Sequence, residues 1–405
     1  MLKRFQIENF GPFLNKETID LTATRVTENK DTLIDGKYLP IIGFYGPNGG
    51  GKSSILQAIS LVKTLTLNPD PNLFNKVFWK YKNSSSDLET INFEIDFVDE
   101  LGKEWVYSAS FNDQGFQYES LKILFLKKRN FKEIIVRNQN GIINFDNKTL
   151  EVLDLNPSVE SIQKTTSTLF YLEPFLKADS YVKSFYKEFR KILFVESDKE
   201  LIKVPFNLIN TNIKVFMSDE LEKILIDNKE IILKVCEAVS FNIVDYEVRK
   251  DSISMTKTFV VKKKSWDGST YWMDIENEST GTNKFISIIA NVLNVIKNGT
   301  ILLIDEIDSS LHTKLVEFII RQFTNPENNT TRSQLIFSSH DLGIMNSSIF
   351  RRDELYLVLK NDSYFSNIMS LYDFGYRKDA TFYKLYKDGK FGGDPYVDMS
   401  FKIKY

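Results

Sequence analysis

Residues 46–53 read Gly46-Pro47-Asn48-Gly49-Gly50-Gly51-Lys52-Ser53. An apolar run, Leu39 to Tyr45, leads into this stretch, and Ser54-Ile55-Leu56 opens an apolar-periodic segment after it. The spacing therefore predicts a strand, a glycine loop and a helix in succession. The stretch satisfies every specified position of the pattern Gly, four residues, Gly-Lys-Ser. Glycines let backbone N–H groups close around phosphates, the following helix aims its positive end at them, and a lysine reaches the β and γ oxygens. On this chemistry Gly46, Pro47, Asn48, Gly49, Gly50, Gly51, Lys52, Ser53 and Ser54 form a candidate nucleotide-binding set. Ser53 is also placed to offer its hydroxyl to Mg²⁺.

Working outward, Ile301-Leu302-Leu303-Ile304 is an apolar strand that ends in two adjacent carboxylates, Asp305 and Glu306. Asp305 suits a Mg²⁺ ligand, direct or through water, and Glu306 suits the general base that polarises an attacking water. Acidic pairs also end strands and cap helices for purely structural reasons, but a phosphate loop upstream favours the catalytic assignment. About twenty residues before the acidic strand stands Glu278-Ser279-Thr280-Gly281-Thr282, just ahead of an apolar helix predicted over Asn277 to Ile296. Ser279, Thr280, Gly281 and Thr282 match in position and type a signature turn that grips the γ-phosphate of a partner subunit. Ser-Thr-Gly before a helix is equally an ordinary N-cap. Asp308, two residues after Glu306, matches a loop that crosses a dimer interface. His340, after the apolar Gln334-Leu335-Ile336-Phe337, matches a histidine that contacts the γ-phosphate. The second histidine, His312, opens a helix and is expected either to be structural or to support a residue of the site from behind.

Taken together, GPNGGGKSS, ENESTGT, LLIDEIDSSLH and QLIFSSHD, with the closing FRRDELYLV and YKDGKFGGDP, resemble the AAA-family ATPases of the abortive-infection AbiL and RloA type, relatives of the RecF, SMC and OLD ATPases. The resemblance implies ATP and Mg²⁺ as ligands, ATP hydrolysis, and heads that dimerise around nucleotide. It also implies a role in bacterial defence against phage beside a separately encoded nuclease-like or toxic effector. One departure is that no glutamine loop is assigned: Gln57 lies inside the phosphate-loop helix, and Gln114 and Gln117 lie near a hairpin.

The fold class expected is α/β: an ABC-type ATPase head with a mixed sheet and phosphate loop, an antiparallel β subdomain and a helical insertion. At 405 residues the chain exceeds what one core usually serves. INFEIDFV, KEWVYSASF and FQYESLKILFL, broken by Leu101-Gly102 and Asp113-Gln114-Gly115, alternate as antiparallel strands do. Helical spacing follows, with Phe185, Phe189, Ile192 and Leu193 on one face and Leu221, Leu225, Ile232 and Val235 on another. The expected organisation is residues 1–157 as the N-terminal half of the ATPase domain, 158–240 as the helical insertion, and 241–405 as the C-terminal half. No heptad run supports long coiled-coil arms.

Charge and composition narrow the function. Lys plus Arg number 52 against 54 Asp plus Glu, a formal net charge of -2, so no global field draws nucleic acid or anionic lipid. Local clusters remain: Lys127-Lys128-Arg129, Lys262-Lys263-Lys264, and a tail from Tyr376 that interleaves Tyr376, Phe382, Tyr383 and Tyr386 with Arg377, Lys378, Lys384 and Lys387. The tail suits phosphate contact with base stacking, or an amphipathic helix with its aromatics turned inward. The lysine runs suit solvated strand edges. Cys236, the one cysteine, excludes an internal disulfide and sits among apolar neighbours, as a buried thiol would. No segment approaches the roughly 18 to 20 apolar residues of a membrane span, and the N-terminus lacks the pattern of a secretory leader. A soluble cytoplasmic protein, a homodimer or higher homo-oligomer off the membrane, is the expectation. A RecF- or SMC-like DNA-repair ATPase is the alternative. A transporter subunit calls for LSGGQ and a glutamine loop, and neither is present. A scaffold that binds ATP without turnover leaves no motif. Neither a TOPRIM-like nor an HNH-like nuclease pattern occurs.

Overall fold

The computed structural model describes residues 1–125, 130–146, 158–195, 219–250, 257–376 and 382–391, apart from 69, 139, 141, 142, 160, 161, 178, 179, 181, 347, 362 and 364. The chain begins with strands β1 (Leu2–Glu8), β2 (Glu17–Asp20) and β3 (Ile41–Tyr45), then helices α1 (Lys52–Leu67) and α2 (Pro71–Tyr81). Strands β4 (Ile91–Val98), β5 (Glu104–Asn112), β6 (Gly115–Phe125), β7 (Asn130–Arg137), β8 (Ile143–Phe145) and β9 (Ser158–Val159) follow. Next come α3 (Thr168–Leu172), α4 (Val182–Arg190), β10 (Ile192–Val195), α5 (Asp219–Asp227) and α6 (Lys229–Ala238). The C-terminal half holds β11 (Ile243–Lys250), β12 (Lys257–Lys264), β13 (Thr270–Asp274), α7 (Thr280–Asn298), β14 (Ile301–Ile304) and α8 (Thr313–Thr324). It closes with β15 (Gln334–Ser338), β16 (Leu355–Lys360), β17 (Ser366–Ser370) and α9 (Phe382–Lys387).

The central six-stranded sheet runs β10-β14-β15-β3-β16-β17, parallel except for β17. Its inner strands β14 and β3 are continuous apolar runs because both faces are covered, whereas the antiparallel edge strand β17 alternates buried and exposed residues. Alternation assigns each residue its face: Ile42, Phe44, Leu303, Ile336 and Val358 join one core, while Ile41, Tyr45, Leu302, Ile304, Phe337 and Leu357 join the other. On the first face lies α1, whose Ile55, Leu56, Ile59 and Val62 are buried together with Leu2, Phe5, Ile95 and Phe97. Those residues belong to an eight-stranded antiparallel sheet, β2-β1-β4-β5-β6-β7-β8-β9, so α1 is packed between two sheets. Truncating Ile59 to alanine there costs about 2–5 kcal/mol. On the second face, α7 contributes Phe285, Ile286, Ile289 and Val292, and α8 contributes Val316, Ile319 and Ile320. The small antiparallel sheet β11-β12-β13 and Cys236 join this second core, and burial pushes the Cys236 thiol up to about 11.

The α/β class with a mixed sheet, phosphate loop and antiparallel sheet is as the sequence implies. Residues Ile192 and Leu193 are a correction: they form β10, which pairs in parallel with β14, instead of continuing the helical face of Phe185 and Phe189. Segment 158–240 therefore supplies an edge strand to the central sheet as well as helices. Among the described residues no helix is long and apolar enough to cross a membrane.

Candidate nucleotide site

Strands β14, β15 and β3 are adjacent and parallel, so the loops that leave their C-terminal ends meet at one edge of the sheet, where open α/β folds bind ligands. After β3 comes 46–51. Gly46 has φ 151°, and a Cβ there would lie 2.4 Å from the Val358 carbonyl oxygen of β16, so the loop lies too close to its neighbour for any side chain. Gly51 caps α1, which places the helix's positive end under the loop. Lys52, 5% exposed, turns its ammonium back to donate to the carbonyls of Gly46 at 2.8 Å and Pro47 at 3.2 Å. Burial lowers its pKa, while the nearby carboxylates of Asp305, Glu306 and Asp308 pull it up. The loop lysine therefore lies within electrostatic reach of the acidic turn.

The acidic turn after β14 is held by a residue of the next strand. Ser338, fully buried at the end of β15, donates its hydroxyl to Asp305 Oδ1 at 2.5 Å and accepts the Glu306 N–H at 2.7 Å. Its carbonyl accepts the Ile307 N–H at 3.0 Å. Glu306 itself has φ 46° and Ser310 φ 59°, left-handed conformations that non-glycine residues adopt only when their surroundings impose them. Asp308 accepts the His340 N–H at 3.1 and 3.2 Å, joining the loops that follow β14 and β15. A cleft of about 310 Å³ opens beside the phosphate loop, lined by Tyr45, Gly46, Pro47, Asn48, Ser339, His340, Leu342 and Tyr386.

Residues 46–54, Asp305, Glu306, Asp308 and His340 are thus brought to one edge. The Ser279–Thr282 turn stands apart. It opens α7, with Ser279 and Thr280 exposed, and Ser279 accepts the Thr282 N–H at 3.0 Å as an N-cap. None of its four residues lines the cleft of its own chain. His312 caps α8, its Nδ1 accepting the Lys314 N–H, the first of the two roles expected of it. Gln57 accepts the Tyr81 hydroxyl from within α1.

Three residues at this edge escape a sequence reading. Ser338 adjoins Ser339 and His340, and that adjacency is the only hint of its role. Lys284 lies on the buried face of α7, and Tyr386 reaches the cleft from the far end of the chain. In the tail, Phe382 and Tyr386 are buried, whereas Lys387 lies over the ring of the exposed Tyr383. The inward-packed alternative thus holds for two of its aromatics. Lys262 lies over Trp272, and Lys263 pairs with Glu278. Lys127, Lys128, Arg129, Arg377 and Lys378 lie outside the described residues.

Residues 41–346 match a family model described as "AAA domain, putative AbiEii toxin, Type IV TA system". Among solved structures, the chain is similar to the ATP-binding cassette MJ0796 in a dimeric post-hydrolysis state bound to ADP and Pi. That similarity has 12% identity and a TM-score of 0.30, covering 91% of this chain and 98% of that one. It is also similar to the recombination mediator RecF with ATP, at 12% identity and TM-score 0.36, covering 91% of this chain and 99% of that one. No curated protein matches it. Because the family model spans well over half of the sequence, from the strand before the phosphate loop to beyond His340, the chain belongs to this AAA-domain family and is an ATPase.

Proposed function

We propose that two copies of the chain close around ATP, with the phosphates held by Gly46–Ser54 of one copy and capped by Ser279–Thr282 of the other. In this reading Lys52 holds the β and γ oxygens and His340 contacts the γ-phosphate. Glu306 takes the proton of the water that attacks γ-phosphorus as the bond to the bridging oxygen breaks and ADP leaves. The observation that carries it is the edge itself: a buried lysine in the glycine loop after β3 and three carboxylates in the turn after β14, on one sheet edge, with the histidine loop tied to one of those carboxylates. The signature turn, exposed and absent from its own chain's cleft, supports a partner as its target.

The residues present fit Mg²⁺. The Ser53 hydroxyl and Asp305 carboxylate are hard oxygen donors, and among the described residues no cluster of three or more His, Cys, Asp or Glu would hold a metal alone. That suits an ion that keeps substrate phosphates and waters as its other ligands. When bound, Mg²⁺ would neutralise charge on the β and γ oxygens.

The nucleotide domain in this reading is discontinuous, with halves 1–157 and 241–405 flanking 158–240. Its turnover regulates a separately encoded effector in defence against phage, a partnered role supported by the toxin–antitoxin wording of the matching family. Light scattering with Mg-ATP tests the pairing: Glu306→Gln is expected to pair on ATP without turnover, and Ser279→Arg to stay apart. Pairing by Ser279→Arg, or normal hydrolysis by Lys52→Ala, removes the mechanism. Equal plaque counts on cells carrying the locus with wild-type protein or Lys52→Ala remove the defence role.

A further inference from the structure

A lysine on the buried side of a helix is costly unless its ammonium finds acceptors. Lys284 is such a residue, 8% exposed between the buried Asn283 and Phe285 in the second turn of α7. Its Nζ donates to the carbonyl oxygens of Glu306 at 3.0 Å and Ser309 at 2.7 Å. These two acceptors bracket the acidic turn, and the Glu306 carbonyl also receives the Ser309 N–H at 2.9 Å. A second contact joins the same two segments. Gly281 lies against the backbone of Ser310, where a Cβ would come within 2.6 Å of the carbonyl oxygen. The turn so gripped contains Glu306 and Ser310, both left-handed, so its shape depends on what surrounds it.

We infer that Lys284 is a positioning residue that makes the start of α7 and the turn carrying Glu306 and Asp308 one mechanical unit. Engagement of Ser279–Thr282 by the partner's nucleotide is thereby transmitted to the general base of the same chain. This rests on the assignment of Glu306 as general base and of Ser279–Thr282 as the signature. Lys284 touches neither water nor phosphate in this scheme. It fixes where the Glu306 backbone sits, and a buried ammonium shared between two carbonyls resists displacement more than one neutral hydrogen bond does.

Steady-state ATPase kinetics on Lys284→Met and Lys284→Arg test it, with melting temperature and binding of a fluorescent ATP analogue measured alongside. Lys284→Met is expected to lower kcat about tenfold or more with KM within about twofold, and Lys284→Arg to recover most of kcat. An unchanged kcat, a rise in KM alone, or equal loss in a folded Lys284→Arg overturns the inference. Should Lys284→Met fail to fold, hydrogen exchange on the wild-type protein decides. Adding ATP is expected to protect 279–284 and 305–311 together, and protection of one segment without the other refutes the coupling. Glu306→Gln, run in parallel, separates the two ideas: if it hydrolyses ATP normally, the general-base assignment has failed, whatever Lys284 does.

Discussion

Replacing Ser338 by alanine removes one buried oxygen and leaves both strands of the acidic edge intact. Two bonds are lost: the donation to Asp305 Oδ1 at 2.5 Å and the acceptance of the Glu306 N–H at 2.7 Å. The first is charge-assisted and is worth about 1.5–3 kcal/mol, and stranding the half-buried amide costs about 1–3 kcal/mol. Most of that is lost equally by free and reacting enzyme. A part, ~2 kcal/mol, falls on the transition state alone, because the freed Glu306 has φ 46° and relaxes away from the position the proposed general base needs. At 1.36 kcal/mol per factor of ten, that is a drop in kcat of about thirtyfold. Phosphate release measured across ATP concentrations should therefore show kcat falling and KM holding within about twofold, since the phosphate loop is untouched. A Ser338→Ala protein that melts earlier yet turns over at the wild-type rate would refute the reasoning, because the hydroxyl would then serve stability alone.

Other expectations follow from buried groups. Arg137 and Glu119 are both fully buried, and Glu119 also accepts from Thr168 and Tyr107. Glu119→Leu leaves the guanidinium without its carboxylate and should cost about 3–5 kcal/mol in urea unfolding, and a loss below ~1 kcal/mol would contradict the pairing. Burial raises Asp96 to about 6 although Arg4 beside it acts the other way. The folded chain holds that proton to higher pH than the unfolded chain, whose ordinary value is 3.8, so stability from this group is full below about 4 and lost as pH rises through about 6. Asp96→Asn should flatten the melting temperature across that window, and an unchanged slope would assign the dependence elsewhere. Gly46→Ala drives a Cβ into the Val358 carbonyl and should abolish binding of a fluorescent ATP analogue while circular dichroism stays native. Retained binding would show that the loop can shift away.

The residues proposed to hold phosphate were legible because their chemistry is local. A glycine loop between an apolar strand and a helix, and a carboxylate pair ending a second apolar strand, can be recognised without knowing their neighbours. The parallel sheet was legible for a related reason, since burial on both faces gives unbroken apolar runs. What stayed hidden depends on adjacency. The part played by Ser338 exists only because β15 lies beside β14, and Tyr386 reaches the cleft only through the docking of Phe382 and Phe391. Ile192 and Leu193 continue the spacing of the helix before them, and a four-residue edge strand with Ile192 buried and Leu193 half-buried looks like one more helical turn. Lys284, one charge on an amphipathic helix, resembles a solvated lysine until the acidic turn is seen beneath it.

The strand that leads into the phosphate loop has consequences for how the protein is made. β3 is synthesised early, yet it pairs with β15, which begins at Gln334, and with β16, which ends at Lys360. Pairings so distant along the chain form late, after the local hairpins of the antiparallel sheet. On the ribosome the first half can thus settle its meander while the nucleotide strand waits without neighbours for nearly the whole of translation, the period in which a chaperone would find it. A nascent chain that stops short of residue 334 therefore carries the glycine loop with neither of the strands that flank β3 in the finished sheet.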